Sequence, residues 1–249
     1  MKNLKIPMIL IIFFFAASCL FAKSSEKTEL ETYAETHKKE YKHALKITKE
    51  CSSRFKSAGF TNERFALAIV FPEIMRYSEF QDSIEANTTE IMYTLGKDSL
   101  ICSIGYFQMK PSFASHMEML IAKDENMQKK YAKINFYGKD DTRDSRYERI
   151  KRLRDVDYQI LYLEAFIESC EKKFNLAGKP VDYKIKIIST AYNTGFSNTL
   201  EMLEERAKNC TYPEGKNNKK SKWHYWKLSS DAYKIISPTT GQPFRRQSE

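Results

Sequence analysis

The stretch from Phe65 to Ser78, FALAIVFPEIMRYS, constrains the fold more than any other part of the chain. It is an apolar run with a single carboxylate, Glu73, placed directly after Pro72. Removing an ionised carboxylate from water costs on the order of several kcal/mol, so a carboxyl kept in such surroundings is expected to have a raised pKa. A general acid that works near neutral pH needs such a pKa. The alternative is that Glu73 lies on a solvated helix edge and pairs with Arg76, three residues further on.

Length and composition predict one large, mainly helical domain. The chain has 249 residues, of which 42% are hydrophobic, and this is enough to bury one good core. It has only 8 glycines and 7 prolines, beside abundant Lys, Glu, Ala and Leu, which favours α-helices over strands. We expect an N-terminal helical extension over residues 23–60, the main domain over 61–236 and a tail over 237–249.

Residues 1–22 have the pattern of a secretion signal. Lys2 and Lys5 form the positive start, and the apolar run that follows is too short to span a bilayer comfortably. Cleavage after Ala22 is the preferred prediction, and lipidation at Cys19 is the alternative. Both predict an exported protein of the periplasm or cell envelope, with association with an outer membrane as one option.

Cysteine usage and charge agree with export. Loss of Cys19 leaves Cys51, Cys102, Cys170 and Cys210, an even set that could form two disulfides in any of three connectivities or remain as four free thiols.

The formal charge is +9, and removal of Lys2 and Lys5 leaves +7. A basic exported protein suits an anionic partner such as a cell-wall polymer or a membrane surface. The sequence has no nucleic-acid recognition motif, so we expect no nucleic-acid partner.

Apolar periodicity predicts a series of helices separated by glycine, proline and polar loops. Pro72 is expected to kink the helix that carries Glu73. The predicted helical segments are Lys23 to Gly59, Asn62 to about Glu85, Thr89 to Leu95, a helix that begins at Pro111, a long helix from Arg146 to Phe174, Val181 to Thr190, Leu200 to Lys208, and Ser229 to Ile236.

Two further blocks carry polar side chains at the ends of apolar segments. In GYFQMKPSFA, Gln108 is either an ordinary loop amide or a hydrogen-bonding group at the wall of a polar-ligand cleft. In AYNTG, Tyr192 and Asn193 either end a helix or stand at a cleft rim. The late aromatics of WHYWKL, Trp223, Tyr225 and Trp226, could stack on sugar rings or close the core.

Taken in order, AIVFPE ending at Glu73, the block from Gly105 and AYNTG resemble the lytic transglycosylases of the goose-type, lysozyme-like fold. The resemblance covers roughly Asn62 to Leu203. It implies a lysozyme-like helical domain that cleaves the bond between N-acetylmuramic acid and N-acetylglucosamine in peptidoglycan glycan strands. It also implies that one glutamate acts as acid and base, that 1,6-anhydromuramyl ends form, and that no metal or cofactor is needed.

The resemblance also assigns residues to roles. Glu73 would be the acid and base, and the substrate-binding set would be Gln108, Tyr192 and Asn193, with Tyr106 and the late Tyr233 as additions. Tyr106 stands where the family has leucine.

Three departures keep alternatives open. Ile74 stands where the family usually has serine, the 35-residue gap from Glu73 to Gln108 is longer than expected, and Glu79 and Glu85 compete for the role of the acid. One alternative is a hydrolysing muramidase on the same fold with Asp82 or Glu85 as a second carboxylate. The other is a non-catalytic envelope protein that binds peptidoglycan.

Overall fold

A computed structural model describes residues 26–77, 79–97, 102–135, 141–215 and 218–236. The predicted signal segment with Cys19 and Ala22 and the tail over 237–249 lie outside these ranges. Within them, eleven α-helices and one short 3₁₀ helix account for the regular structure, and the extended residues form only isolated bridges. The prediction of a mainly helical protein is confirmed.

The helices follow one another through short connections. Their bounds are α1 Glu29–Thr36, α2 Lys38–Ser57, α3 Glu63–Arg76, α4 Glu79–Thr94, α5 Pro111–Ala122, α6 Glu125–Lys130, a 3₁₀ helix Ala132–Ile134, α7 Arg143–Leu153, α8 Val156–Lys173, α9 Val181–Thr194, α10 Leu200–Arg206 and α11 Tyr225–Ile235.

Helix α3 is the central element of the core. Every residue from Ala66 to Met75 is buried, because this helix is apolar on all sides and packs against α2, α8, α9 and α11. The helix continues through Pro72 and ends at Arg76, where Tyr77 adopts extended backbone angles. Its carboxylate at position 73 is therefore held inside the protein by the packing of the whole helix.

The helices of the predicted N-terminal extension share this core. Leu30 and Tyr33 of α1 and Ile47 and Phe55 of α2 belong to the same cluster of buried residues as the centre of α3. The boundary expected near residue 60 therefore does not separate two hydrophobic cores.

Several predicted helix boundaries were wrong. The segment expected to be helical from Lys23 to Gly59 contains two helices, and the last helix begins at Tyr225 and not at Ser229. The long helix expected from Arg146 to Phe174 is two helices, because the Asp155 carboxylate caps a new helix by accepting a hydrogen bond from the backbone N–H of Asp157 at 2.9 Å. The helix expected to run on to about Glu85 ends at Arg76. The segment from Thr89 to Leu95 is the last part of α4 and not a separate helix.

The cysteines and late aromatics also have defined places. All four described cysteines are free thiols, with Cys51 and Cys170 buried. Tyr225 is buried in the core, and the Trp226 indole N–H donates to the Ala207 carbonyl at 2.7 Å. Trp223 packs edge-on against Tyr33. Tyr225 is thus part of the core and Trp223 packs against it, while Trp226 is half-buried. No described helix combines the length and apolarity that crossing a lipid bilayer requires.

Candidate active site

The candidate site is built around Glu73, in the last turn of α3. This residue is only 7% exposed, and its carboxylate lies 3.4 Å from the Arg76 guanidinium, three residues further along the helix. Both sequence interpretations of this glutamate are therefore partly right, because the side chain is buried and it also pairs with Arg76. The Arg76 side chain is 44% exposed, so the partner that reaches solvent is the cation.

Burial decides the protonation of Glu73. Burial raises the pKa of its carboxyl, while the positive charge of Arg76, a hydrogen-bonding contribution from Tyr225 and the charge of Lys110 lower the pKa by less. The net effect is a pKa above the ordinary value of 4.5. A carboxyl in this state can hold its proton at a higher pH than a surface glutamate.

Three tyrosines from separate segments lie close enough to Glu73 for the charge of its carboxylate to act on their pKa values. Tyr192 lies on α9, Tyr212 follows α10, and Tyr225 begins α11. Burial, and with it the negative charge of Glu73, raises the pKa of each phenol, so all three hydroxyls stay protonated. The Tyr225 hydroxyl is buried and makes no hydrogen bond of standard geometry with a described residue, although it contributes to lowering the pKa of Glu73.

The block from Gly105 forms a tight turn beside this cluster. Ile104 and Met109 pair as an isolated antiparallel bridge, and Gly105 and Gln108 both have positive φ angles, of 74° and 50°. Position 105 requires glycine for two reasons. Its positive φ angle is unfavourable for residues with a side chain, and a Cβ there would lie 1.6 Å from the Nε2 atom of Gln159.

Gln159, buried on α8, holds the turn in place through two hydrogen bonds to the backbone. Its amide oxygen accepts from the backbone N–H of Phe107 at 2.9 Å, and its Nε2 donates to the carbonyl of Leu153 at 2.6 Å. Sequence reasoning missed this residue. A glutamine on the buried face of an amphipathic helix was the available signal.

Gln108, Tyr192 and Asn193 are brought to this region, but each of them uses a polar atom in a hydrogen bond within the protein. The Gln108 side-chain amide donates to the Gly105 carbonyl at 2.9 Å, and the Tyr192 hydroxyl donates to the Phe107 carbonyl at 2.7 Å. Tyr192 thereby ties α9 to the turn. The Asn193 amide donates to the Thr211 hydroxyl at 2.7 Å, in the segment that leads to Tyr212.

Tyr106 is half-buried and packs edge-on against Tyr77, with ring centroids 4.8 Å apart. Tyr77 is four residues beyond Glu73 and itself lies parallel to the His43 ring. The site therefore has partly exposed aromatic surface next to the buried carboxyl. Tyr77 and Tyr212 were not among the predicted site residues, since neither lies in a block that carries the resemblance.

Tyr233 does not join the site. The Arg64 guanidinium lies 4.0 Å from the centre of its ring, at the opposite end of α3. Nine residues of helix separate Arg64 from Glu73, a distance of about 13 Å. The side chains of Glu79, Asp82 and Glu85, the competing carboxylates, lie outside the described part of the chain.

The other buried carboxyl residues of the described chain are Glu63, Glu118, Glu164 and Asp231. Glu164 has a pKa raised to about 7 by burial, partly offset by a hydrogen bond from Asn62, which precedes the first residue of α3. Glu118 forms a buried ion pair with Arg149 at 2.7 Å. Among the described residues, no three His, Cys, Asp or Glu side chains are grouped so that they could hold a metal ion.

No family model, curated protein or solved structure matches this chain.

Proposed function

We propose that this chain is a peptidoglycan lytic transglycosylase with a lysozyme-like arrangement of helices, in which Glu73 is the single acid and base. The observation that carries the proposal is the buried Glu73 carboxyl with its raised pKa, next to a glycine turn and partly exposed aromatic rings. Carboxyls with perturbed pKa values are concentrated at functional sites, and Glu73, unlike the buried Glu164, lies beside the turn at Gly105.

In the proposed reaction, Glu73 donates its proton to the glycosidic oxygen between N-acetylmuramic acid and N-acetylglucosamine. The bond from this oxygen to the anomeric carbon breaks, and the substrate's own N-acetyl group stabilises the positive charge that develops there. Glu73, now ionised, takes the proton of the muramyl C6 hydroxyl, whose oxygen bonds to the anomeric carbon. The products are a free N-acetylglucosamine 4-hydroxyl and a 1,6-anhydromuramyl end, and no water is consumed.

Neighbouring side chains suit both protonation states of Glu73. Proton donation by Glu73 requires its ion pair with Arg76 to open, and the Arg76 side chain is 44% exposed, so its guanidinium can move toward solvent. The Lys110 charge and the Tyr225 hydroxyl favour the carboxylate that remains after the first proton transfer. The protonated phenols around the site cannot compete as bases.

The test compares three proteins on purified peptidoglycan: the wild type, Glu73→Gln and Glu164→Gln. The second variant is a matched control, because Glu164 is also a buried carboxyl with a raised pKa and lies near the opposite end of α3. Released muropeptides are identified by mass spectrometry, in which an anhydromuramyl end is one water lighter than a reducing end.

We expect anhydromuramyl products from the wild type, a loss of roughly 100-fold or more in Glu73→Gln, as for removal of a general acid, and activity close to wild type in Glu164→Gln. Unchanged release by Glu73→Gln contradicts the proposal. Reducing ends identify a hydrolysing muramidase. Binding of the wall by the wild type without any release identifies a non-catalytic glycan-binding protein.

A further inference from the structure

A row of lysines runs along the outward face of α2. This lysine stripe consists of Lys38, Lys39, Lys42, Lys46, Lys49 and Lys56. All six residues are exposed. At about 100° per residue they fall within a sector of about 100° of the helix surface, and the helix rises about 27 Å from the first lysine to the last.

The orientation of the stripe is set by the core. The opposite face of α2 buries Ala44, Ile47, Cys51 and Phe55 against the rest of the protein, so the helix cannot rotate to hide its lysines. The same helix packs against α3, and Tyr41 of α2 contacts Phe71 edge-on. The stripe is therefore a fixed line of positive charge on a rigid element.

The acids of α2 compensate little of the charge of the stripe. Glu40 lies outside its sector, and Glu50 lies about 20° beyond the edge of the sector and pairs with Arg54, 3.9 Å away. Among the described residues, Lys38, Lys39, Lys42, Lys46 and Lys49 form no ion pair. Lysines on other helices do: Lys172 of α8 contacts both Asp124 and Glu168. Like charges four residues apart cost about 0.2–0.5 kcal/mol per pair, so the stripe lowers the stability of its own helix.

We infer that the lysine stripe binds a linear polyanion, a polymer whose phosphate or carboxylate groups recur along its length. A single row of charges about 27 Å long matches an extended chain better than a compact anion. The sector contains no aromatic side chain that could stack on a base, so recognition is by charge and not by nucleobase. The apolar face of α2 is buried in the core and cannot insert into a bilayer, which separates the stripe from a membrane-binding amphipathic helix. The inference does not depend on the proposed glycan cleavage.

The test measures binding of fluorescently labelled long-chain polyphosphate by anisotropy at several salt concentrations. The test variant, K42Q/K46Q/K49Q, removes three charges from the centre of the stripe and keeps helix propensity close to that of lysine. The control variant, K129Q/K151Q/K179Q, removes three exposed lysines that form no described ion pair and lie elsewhere, so it makes the same change in net charge.

The stripe variant is expected to bind polyphosphate at least roughly tenfold more weakly at low salt and to show a shallower salt dependence, because fewer counterions are displaced. The control variant should retain most of the affinity, and tripolyphosphate should compete poorly, since it is too short to span the row. At low salt the stripe variant should also melt at a slightly higher temperature, because lysine repulsion is relieved.

Equal loss of affinity in the two variants would overturn the inference, because it would assign binding to net charge alone. So would tighter, stripe-dependent binding to phosphatidylglycerol vesicles, which would assign the stripe to a membrane surface. Preference for a single-stranded oligonucleotide over polyphosphate of equal charge would overturn it as well.

Discussion

At the scale of single residues, Glu73 shows how burial and charge compete. Its apolar surroundings raise the pKa of the carboxyl, and the cations Arg76 and Lys110 only partly compensate. A carboxyl with these properties costs stability once it ionises. The cost is a physical signature that can be measured without knowing a substrate.

We predict that Glu73→Gln raises the melting temperature at pH 8 and leaves it unchanged near pH 4. In the unfolded chain the glutamate ionises as the pH passes about 4.5, whereas the folded carboxyl holds its proton to a higher pH. Stability from the protonated form is thus complete below pH 4.5 and is lost as the pH rises through the folded pKa. Melting curves from pH 3.5 to 8.5 measure the difference between the two proteins.

Glu164→Gln provides the comparison, because the pKa of Glu164 is raised to about 7. Its difference from wild type should develop between about pH 4.5 and 7 and then level off. If Glu73→Gln lowers stability at pH 8 and not at pH 4, the Glu73 carboxylate is stabilising as an ion, and its proposed role as an acid is contradicted.

At the scale of elements, the turn between Ile104 and Met109 links two distant helices. Gln159 of α8 holds its backbone from one side, and Tyr192 of α9 donates to its Phe107 carbonyl from the other. The turn needs a residue without a side chain at position 105. The contacts of α8 and α9 with this turn therefore depend on a glycine at position 105.

We predict that Gly105→Ala destabilises the protein by about 2 kcal/mol or more, since the new methyl group meets the buried Gln159 amide in addition to straining a positive φ. Gly178→Ala is the matched control. Gly178 has a nearly identical φ of 71°, but a methyl group added there would have no atom within 4 Å, so only the backbone strain of about 1 kcal/mol is expected. Urea unfolding measures both values. Equal losses in the two variants would show that the contact with Gln159 is not needed.

At the scale of the whole molecule, a buried polar network joins four helices. The Arg149 guanidinium of α7 donates to the Glu118 carboxylate of α5 and to the Tyr93 hydroxyl of α4, and the Tyr162 hydroxyl of α8 donates to Glu118 at 2.6 Å. The Arg149 and Glu118 side chains are both buried, so the attraction between their charges has to offset the hydration that each has lost. The network makes these helices a single cooperative unit.

We predict that Arg149→Met destabilises the protein by about 3–5 kcal/mol, because it leaves the Glu118 carboxylate buried without its cation. The double variant Glu118→Met/Arg149→Met should lose less than the sum of the two single variants. Lys208→Met is the control: its pair with Glu205 is 69% exposed on both sides, and its removal should change stability by no more than about 0.5 kcal/mol. Additive losses in the double variant would show that the buried pair is not coupled.

Much of this architecture could be predicted from local pattern. The all-round apolarity of residues 66–75 indicated a buried central helix, and the scarcity of glycine and proline indicated a helical fold. The break at Asp155 was missed because the apolar stripe continues across it, and a continuous stripe does not reveal a new N-cap. Gln108 and Asn193 were predicted near a shared site, but the protein bonds that occupy their amides depend on the folded positions of their partners.

By itself the sequence determined the helical class and the apolar character of the segment that carries Glu73, because these follow from residue type and a period of 3.6. It left open whether Glu73 is buried or lies on a solvated helix edge. Only the tertiary structure decided that Tyr212 and Tyr225 lie beside Glu73, that Tyr233 lies at the other end of α3, and that Gln159 supports the glycine turn. Those arrangements depend on how helices far apart in the chain pack together. Packing follows the shape and chemistry of whole surfaces, which a local pattern does not encode.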